Sequence, residues 1–181
     1  MALLPFVIAD KEKCTGCRVC EIACHSYHHN VGKTIGTVTG PIIPKLFVTR
    51  KSGAMVPVQC HQCEGAPCAR ACTHQAIHMD CGRLVIDTEQ CNNCRDCIEA
   101  CPFGVINLAP AKAADPYVSL TEGEVRLVGN KCDLCLGREQ GPVCVAACPY
   151  QALRLADPAA DKREKNRQAA HNSQYLYRMG R

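Results

Sequence analysis

Seventeen cysteines in 181 residues dominate the chemistry this chain could perform. Sixteen fall into four quartets: Cys14, Cys17, Cys20 and Cys24; Cys60, Cys63, Cys68 and Cys72; Cys91, Cys94, Cys97 and Cys101; Cys132, Cys135, Cys144 and Cys148. The third is compact, C-x-x-C-x-x-C-x-x-x-C, and runs directly into Pro102; the first repeats its spacing without the proline, and the second and fourth are stretched versions. Thiolate is the soft ligand that suits iron–sulfur chemistry, and three cysteines three residues apart let one loop wrap three corners of an iron–sulfur cube. Structural zinc sites instead pair two C-x-x-C knuckles across a longer insert, a plan the third cysteine of each compact run does not fit. Disulfides within a quartet would close short, strained loops.

Each quartet needs elements to hold it. Short apolar runs at 6–10, 84–87 and 125–128 precede Cys14, Cys91 and Cys132, so the chain reads as a repeat: strand, turn, cysteine loop, and a fourth cysteine opening the next element. Apolar residues recur at a fixed offset beyond the fourth cysteine, in Ala76-Ile77, Val105-Ile106 and Ala152-Leu153, and are expected to pack against the metal sites. Residues 45–50 and 54–58 around Ser52-Gly53 read as a hairpin. Cys81-Gly82 reads as a turn between strands, leaving Cys81 an exposed spare thiol. His25, His28 and His29 are read as a solvated loop, and 107–124, with Pro110 and Pro116, as an irregular connection.

Composition agrees with a metal-filled interior. Hydrophobic content is 47%, but without cysteine it falls to about 38%, below the usual share, and there is no tryptophan. The N-terminus has no basic signal-peptide region and no twin arginine, and no run is long enough to cross a membrane; the expected location is the cytoplasm, with reduced thiols and no direct membrane insertion. The net charge of +4 is concentrated in the tail, leaving the body near neutral, which argues against a nucleic-acid partner.

The compact spacing is that of bacterial ferredoxins, in which the fourth cysteine ligates the other cluster of a pair. Only 18 residues separate Cys72 from Cys91, so the second and third quartets are expected to form one two-cluster unit, leaving the first and fourth to exchange ligands likewise. The expected ligand sets are Cys14, Cys17, Cys20 with Cys148; Cys132, Cys135, Cys144 with Cys24; Cys60, Cys63, Cys68 with Cys101; and Cys91, Cys94, Cys97 with Cys72. A tandem pairing is the alternative that spacing leaves open. The fold class is α+β: nested ferredoxin-like units of short strands and helices, an inner one at about 58–107 and an outer one from about 5–30 and 125–156. An insertion covers about 31–57, and the body of 1–156 is followed by a helical tail at 157–181.

Cys14-Thr-Gly-Cys17-Arg-Val-Cys20, Cys60-His-Gln-Cys63-Glu-Gly-Ala-Pro-Cys68 and Lys131-Cys-Asp-Leu-Cys135 with Gly141-Pro142-Val-Cys144 carry a resemblance that covers 6–153. The chain resembles the four-cluster ferredoxin subunits of the dimethyl sulfoxide reductase iron–sulfur family. Members of that family serve formate dehydrogenases, formate hydrogenlyase, tungsten aldehyde oxidoreductases, carbon monoxide dehydrogenase and hydrogenases. The resemblance implies four 4Fe-4S clusters, the nested ligand exchange, and a catalytic partner that is a molybdenum or tungsten pterin enzyme or a hydrogenase. Thr73 stands where members often have proline, whereas all sixteen ligands are present.

No activated nucleophile or acid–base pair is legible, so the expected role is non-catalytic electron transfer, with His61, Arg95, Asp96 and Lys131 as candidate tuners or as surface residues. The alternatives are an assembly or filament-forming scaffold of the same complex and, more remotely, a zinc-binding interaction module. Asp157-Pro158 reads as the cap and first position of a tail helix without an apolar face, tipped by Tyr175, Leu176, Tyr177 and Met179. It is expected to project into solvent and dock on the catalytic partner or on further copies of the chain.

Overall fold

Each short apolar run becomes one strand of a two-stranded antiparallel ribbon in the computed structural model, which describes residues 4–29, 41–111 and 126–179. In β1 (Phe6–Ala9) and β8 (Leu153–Ala156) the two ends of the body meet, Phe6 opposite Ala156. The hairpin expected near Ser52-Gly53 is β2 (Leu46–Lys51) with β3 (Ala54–Gln59). A second hairpin, β4 (Ile77–Asp80) with β5 (Arg83–Ile86), turns on Cys81 and Gly82, both at positive φ. The fourth ribbon pairs β6 (Asn107–Pro110) with β7 (Leu127–Asn130).

That last ribbon corrects two readings. The start of the segment read as irregular is a strand, because Pro110 falls at its end, opposite Leu127, in a ribbon whose strands are all edges; proline is tolerated there. The strand before Cys132 lies at Leu127–Asn130, two residues later than the apolar run indicated. Residues 112–125 lie outside the described set.

Two-stranded ribbons are marginal by themselves and need a packed face. Four short helices help: α1 (Val19–His29), α2 (Pro67–Ala71), α3 (Asp96–Glu99) and α4 (Val143–Ala147), with α1 packed on α4 and α2 on α3. Val7, Leu46, Val48, Ile77, Leu84, Val105, Ile106, Leu134 and Leu153 share one core with the thiols of Cys20, Cys24, Cys60, Cys68, Cys132 and Cys144. Cysteine is thus part of the interior. Helix α1 also corrects the loop assigned to the histidines: His25 is buried on it and accepts the Ile43 N–H at 3.0 Å through Nδ1.

Beyond β8 the chain enters α5 (Pro158–Met179). The Asp157 carboxylate accepts the Ala160 N–H at 3.0 Å, an N-cap that satisfies one of the orphan donors of the first turn. Every residue from 161 to 173 is exposed, as expected for a run whose only apolar residues are Ala169 and Ala170. The side chains of Tyr175, Leu176, Tyr177 and Met179 lie outside the described residues.

Candidate metal centres

The four cysteine loops share a backbone device. The residue just before the second cysteine of each quartet, Gly16, Gln62, Asn93 or Leu134, is left-handed, with φ of 76°, 49°, 65° and 56°. This reversal points backbone N–H groups inward. Gln62 N–H lies 3.4 Å from Cys60 Sγ, and Leu134 N–H lies 3.4 Å from Cys132 Sγ. Four further backbone donors reach thiol sulfur: Lys45 to Cys24, Gly129 to Cys91, Val143 to Cys135 and Ala152 to Cys148, at 3.3–3.4 Å. A second shared turn follows three of the fourth cysteines, where Gln75, Gly104 and Gln151 are left-handed and donate to the carbonyls of Cys72, Cys101 and Cys148. The first quartet departs because Cys24 sits inside α1.

Two recesses show how the quartets meet. One is lined by Cys91, Cys94 and Cys97 together with Cys72, walled by Ala76, Ile77 and Ile86, and holds about 380 Å³ including its mouth. The other, about 310 Å³, is lined by Cys14, Cys17 and Cys20 together with Cys148, and walled by Val48, Ala152 and Leu153. Two of the three apolar pairs at fixed offset from the fourth cysteine, Ala76-Ile77 and Ala152-Leu153, therefore form walls. The remaining thiols also group across quartets. Cys63 and Cys68 both lie within electrostatic reach of Cys60 and Cys101, and Cys144 within reach of Cys132, Cys135 and Cys24.

Neighbouring groups come within electrostatic reach of one another in a fixed order. Cys20 acts on Cys144, Cys60 on Cys132, and Cys68 on Cys97. The four groups thus form a line: the Cys14 group, the Cys132 group, the Cys60 group, the Cys91 group. Cys17 and Cys94, in the two end groups, are exposed, whereas the cysteines of the two middle groups are buried or half-buried. Cys81 is exposed on its hairpin turn, outside all four.

Burial pushes most of the interior thiols up: Cys20 and Cys97 to about 11, Cys24 and Cys132 to about 12, and Cys144 further. Without a cation these thiols keep their protons at neutral pH, and a coordinated metal removes them outright. Among the described residues no three His, Cys, Asp or Glu side chains converge on a single ion. The donors ring recesses instead. Thiols around an apolar hollow, with N–H groups aimed at sulfur, fit a multi-iron cluster whose corners are spread apart. In the Cys91 recess the amide of Asn93 has a buried oxygen without a partner.

Polar side chains surround the line of thiols. Asp133 receives Lys45 Nζ at 2.7 Å and lies 3.4 Å from His28 Nε2, which is itself 3.8 Å from Cys135 Sγ. Burial raises the Asp133 carboxyl, but Lys45 and His28 outweigh it and hold the group below its usual range. His61 stacks between Phe6 and Phe103, with centroids 5.2 and 4.0 Å away, and burial lowers its pKa, keeping the ring neutral. Arg95 and Asp96 are exposed, whereas Lys131 is buried, which removes the surface reading for that residue. Asp133, Lys45 and Gln62 carried no local signal, because their partners lie far away in sequence.

A mixed fold of short antiparallel ribbons around thiol-ringed recesses is the architecture of an iron–sulfur protein. Residues 84–106 match the family model of a 4Fe-4S binding domain. The chain is 37% identical to the putative electron transport protein YsaA of Escherichia coli K12, over 90% of this chain and 96% of that protein. It is 35% identical to the electron transport protein HydN of the same strain, over 88% and 95%, and 36% identical to formate hydrogenlyase subunit 2, over 84% and 81%. The chain belongs to this family of 4Fe-4S electron-transport proteins. Among the described residues no helix is long and apolar enough to cross a membrane.

Proposed function

We propose that the sixteen quartet cysteines hold four 4Fe-4S clusters as two nested two-cluster units, and that the chain serves as the electron-transfer subunit of an oxidoreductase complex. Its catalytic partner is a hydrogenase or a molybdenum or tungsten pterin enzyme, as in the dimethyl sulfoxide reductase iron–sulfur family. The observation that carries this reading is the grouping of thiols: each recess draws three cysteines from one run and the fourth from another. When bound, each cluster accepts and releases one electron at a time. The chain's own residues do the rest. Backbone N–H groups on Cys24, Cys60, Cys91, Cys132, Cys135 and Cys148 stabilise anionic sulfur. Ala76, Ile77, Ala152 and Leu153 exclude water from the end recesses. The exposed Cys17 and Cys94 make the two end groups the points where a partner can come closest.

The subunit role draws support from relatives named as a formate hydrogenlyase subunit and a hydrogenase-4 component. The exposed run of α5 supports a second role, as an arm that docks on that partner or on another copy of the chain. Anaerobically prepared protein is expected to carry about sixteen iron and sixteen sulfide per chain, four cubanes' worth. Stoichiometric zinc without iron would sink the assignment.

A further inference from the structure

Lys131 is 3% exposed, the one buried lysine or arginine among the described residues. Its Nζ donates to the carbonyl of Leu84 in β5 and, at 3.0 Å, to the carbonyl of Cys132. Taking an ammonium out of water costs several kcal/mol unless an anion compensates. Among the described residues no carboxylate forms an ion pair with it, and Cys63 and Cys68 lie within its electrostatic reach. Gln62, 1% exposed, shares both of its partners. Gln62 Nε2 donates to the Cys132 carbonyl at 2.9 Å, Oε1 accepts the Leu84 N–H at 2.7 Å, and its backbone N–H points at Cys60 Sγ. Lys131 and Gln62 thus tie the Cys60 loop, β5 and the Cys132 loop into one buried polar knot, between the two middle groups of the line.

We propose that Lys131 is an embedded positive charge that raises the reduction potential of the cluster held by Cys60, Cys63, Cys68 and Cys101. The inference rests on the ligand assignment above. Reduction adds one negative charge to the site, and a fixed cation in a low-dielectric interior stabilises that state more strongly than a hydrated one does. Arg18 and Arg95, beside the two end groups, are exposed and screened by solvent, so they offer no equivalent bias. The arrangement makes a middle position of the line easier to reduce than its sequence motif alone would.

The test is a redox titration followed by electron paramagnetic resonance on full-length, cluster-loaded protein, with iron measured on the same samples. Cys63→Ser replaces one assigned ligand and marks the titration wave of this site. In Lys131→Gln and Lys131→Met that wave is expected to fall by at least tenfold in reduction equilibrium constant, or 59 mV for a one-electron couple. Lys131→Arg, which keeps the charge, is expected to stay near the wild type. An unmoved wave in either fully loaded neutral variant overturns the proposal. So does selective loss of this one cluster in both, which would make Lys131 a structural residue. If Cys63→Ser moves a wave and Lys131→Gln does not, this inference alone fails; if Cys63→Ser moves none, the ligand assignment fails and takes the inference with it.

Discussion

Gly16 sits between Cys14 and Cys17 at φ +76°, and a Cβ built there would lie 2.7 Å from two side-chain carbons of Met55 and 3.2 Å from its Cβ. Two penalties therefore fall on Gly16→Ala. The left-handed backbone costs about 1–2 kcal/mol for a residue with a Cβ. Overpacking against the β3 side chain adds roughly 1–3 kcal/mol. The other loops separate the two. Gln62, Asn93 and Leu134 occupy the same left-handed position with full side chains, so the backbone cost is tolerable there, and contact with Met55 is what demands glycine in the first loop. Met55 is half-buried and flexible, so truncating it opens the space. A double-mutant cycle of Gly16→Ala with Met55→Ala should show a favourable coupling of about 1–3 kcal/mol, leaving the backbone cost and the milder 3.2 Å approach to the Cβ of residue 55 in the double variant. Cluster loss in denaturant, followed as bleaching of visible absorbance under anaerobic conditions, reports this as a rate, since a protein loaded with metal clusters does not unfold as a simple two-state system. A coupling of that size corresponds to about 5- to 150-fold. Equal acceleration by Gly16→Ala in the wild-type and Met55→Ala backgrounds would refute the steric account and leave φ as the whole cause.

Replacing Cys24 with alanine should disturb the site of Cys132, Cys135 and Cys144 and spare that of Cys14, read as selective change of one cluster signal with about four of sixteen iron at risk; loss of the Cys14 signal instead would favour self-contained quartets. Deleting residues 159–181 should leave iron content unchanged while lowering the mass of the native complex in light scattering. If the shortened chain assembles as the full one does, the docking role of α5 is wrong.

Much of the site was legible because iron–sulfur ligation is encoded locally. Three cysteines within seven to thirteen residues need only a loop with one left-handed turn to face a common point, and the fixed offset to Ala76-Ile77 and Ala152-Leu153 marks two of the walls. The tail was legible for the same reason, since Asp157 caps a helix whose polar residues face water on every side. Pro110 misled because a proline is read as a breaker, whereas a strand with only one neighbour has backbone donors to spare.

The metal chemistry, the number of cysteine loops and the repeat that builds them could be read from the chain alone, because each depends on residues a few positions apart. The order of the four groups, the exposure of Cys17 and Cys94 in the two end groups, and the fate of the polar residues between the cysteines depend on the folded chain. Lys131 lies 47 residues from Leu84 and Gln62 lies 70 from Cys132, so nothing near either residue announces its burial. A lysine beside a cysteine motif looks like a surface charge until the fold closes β5 and two loops over it. Burial is a property of what arrives from elsewhere in the chain, and that is where the electrostatics of this protein are set.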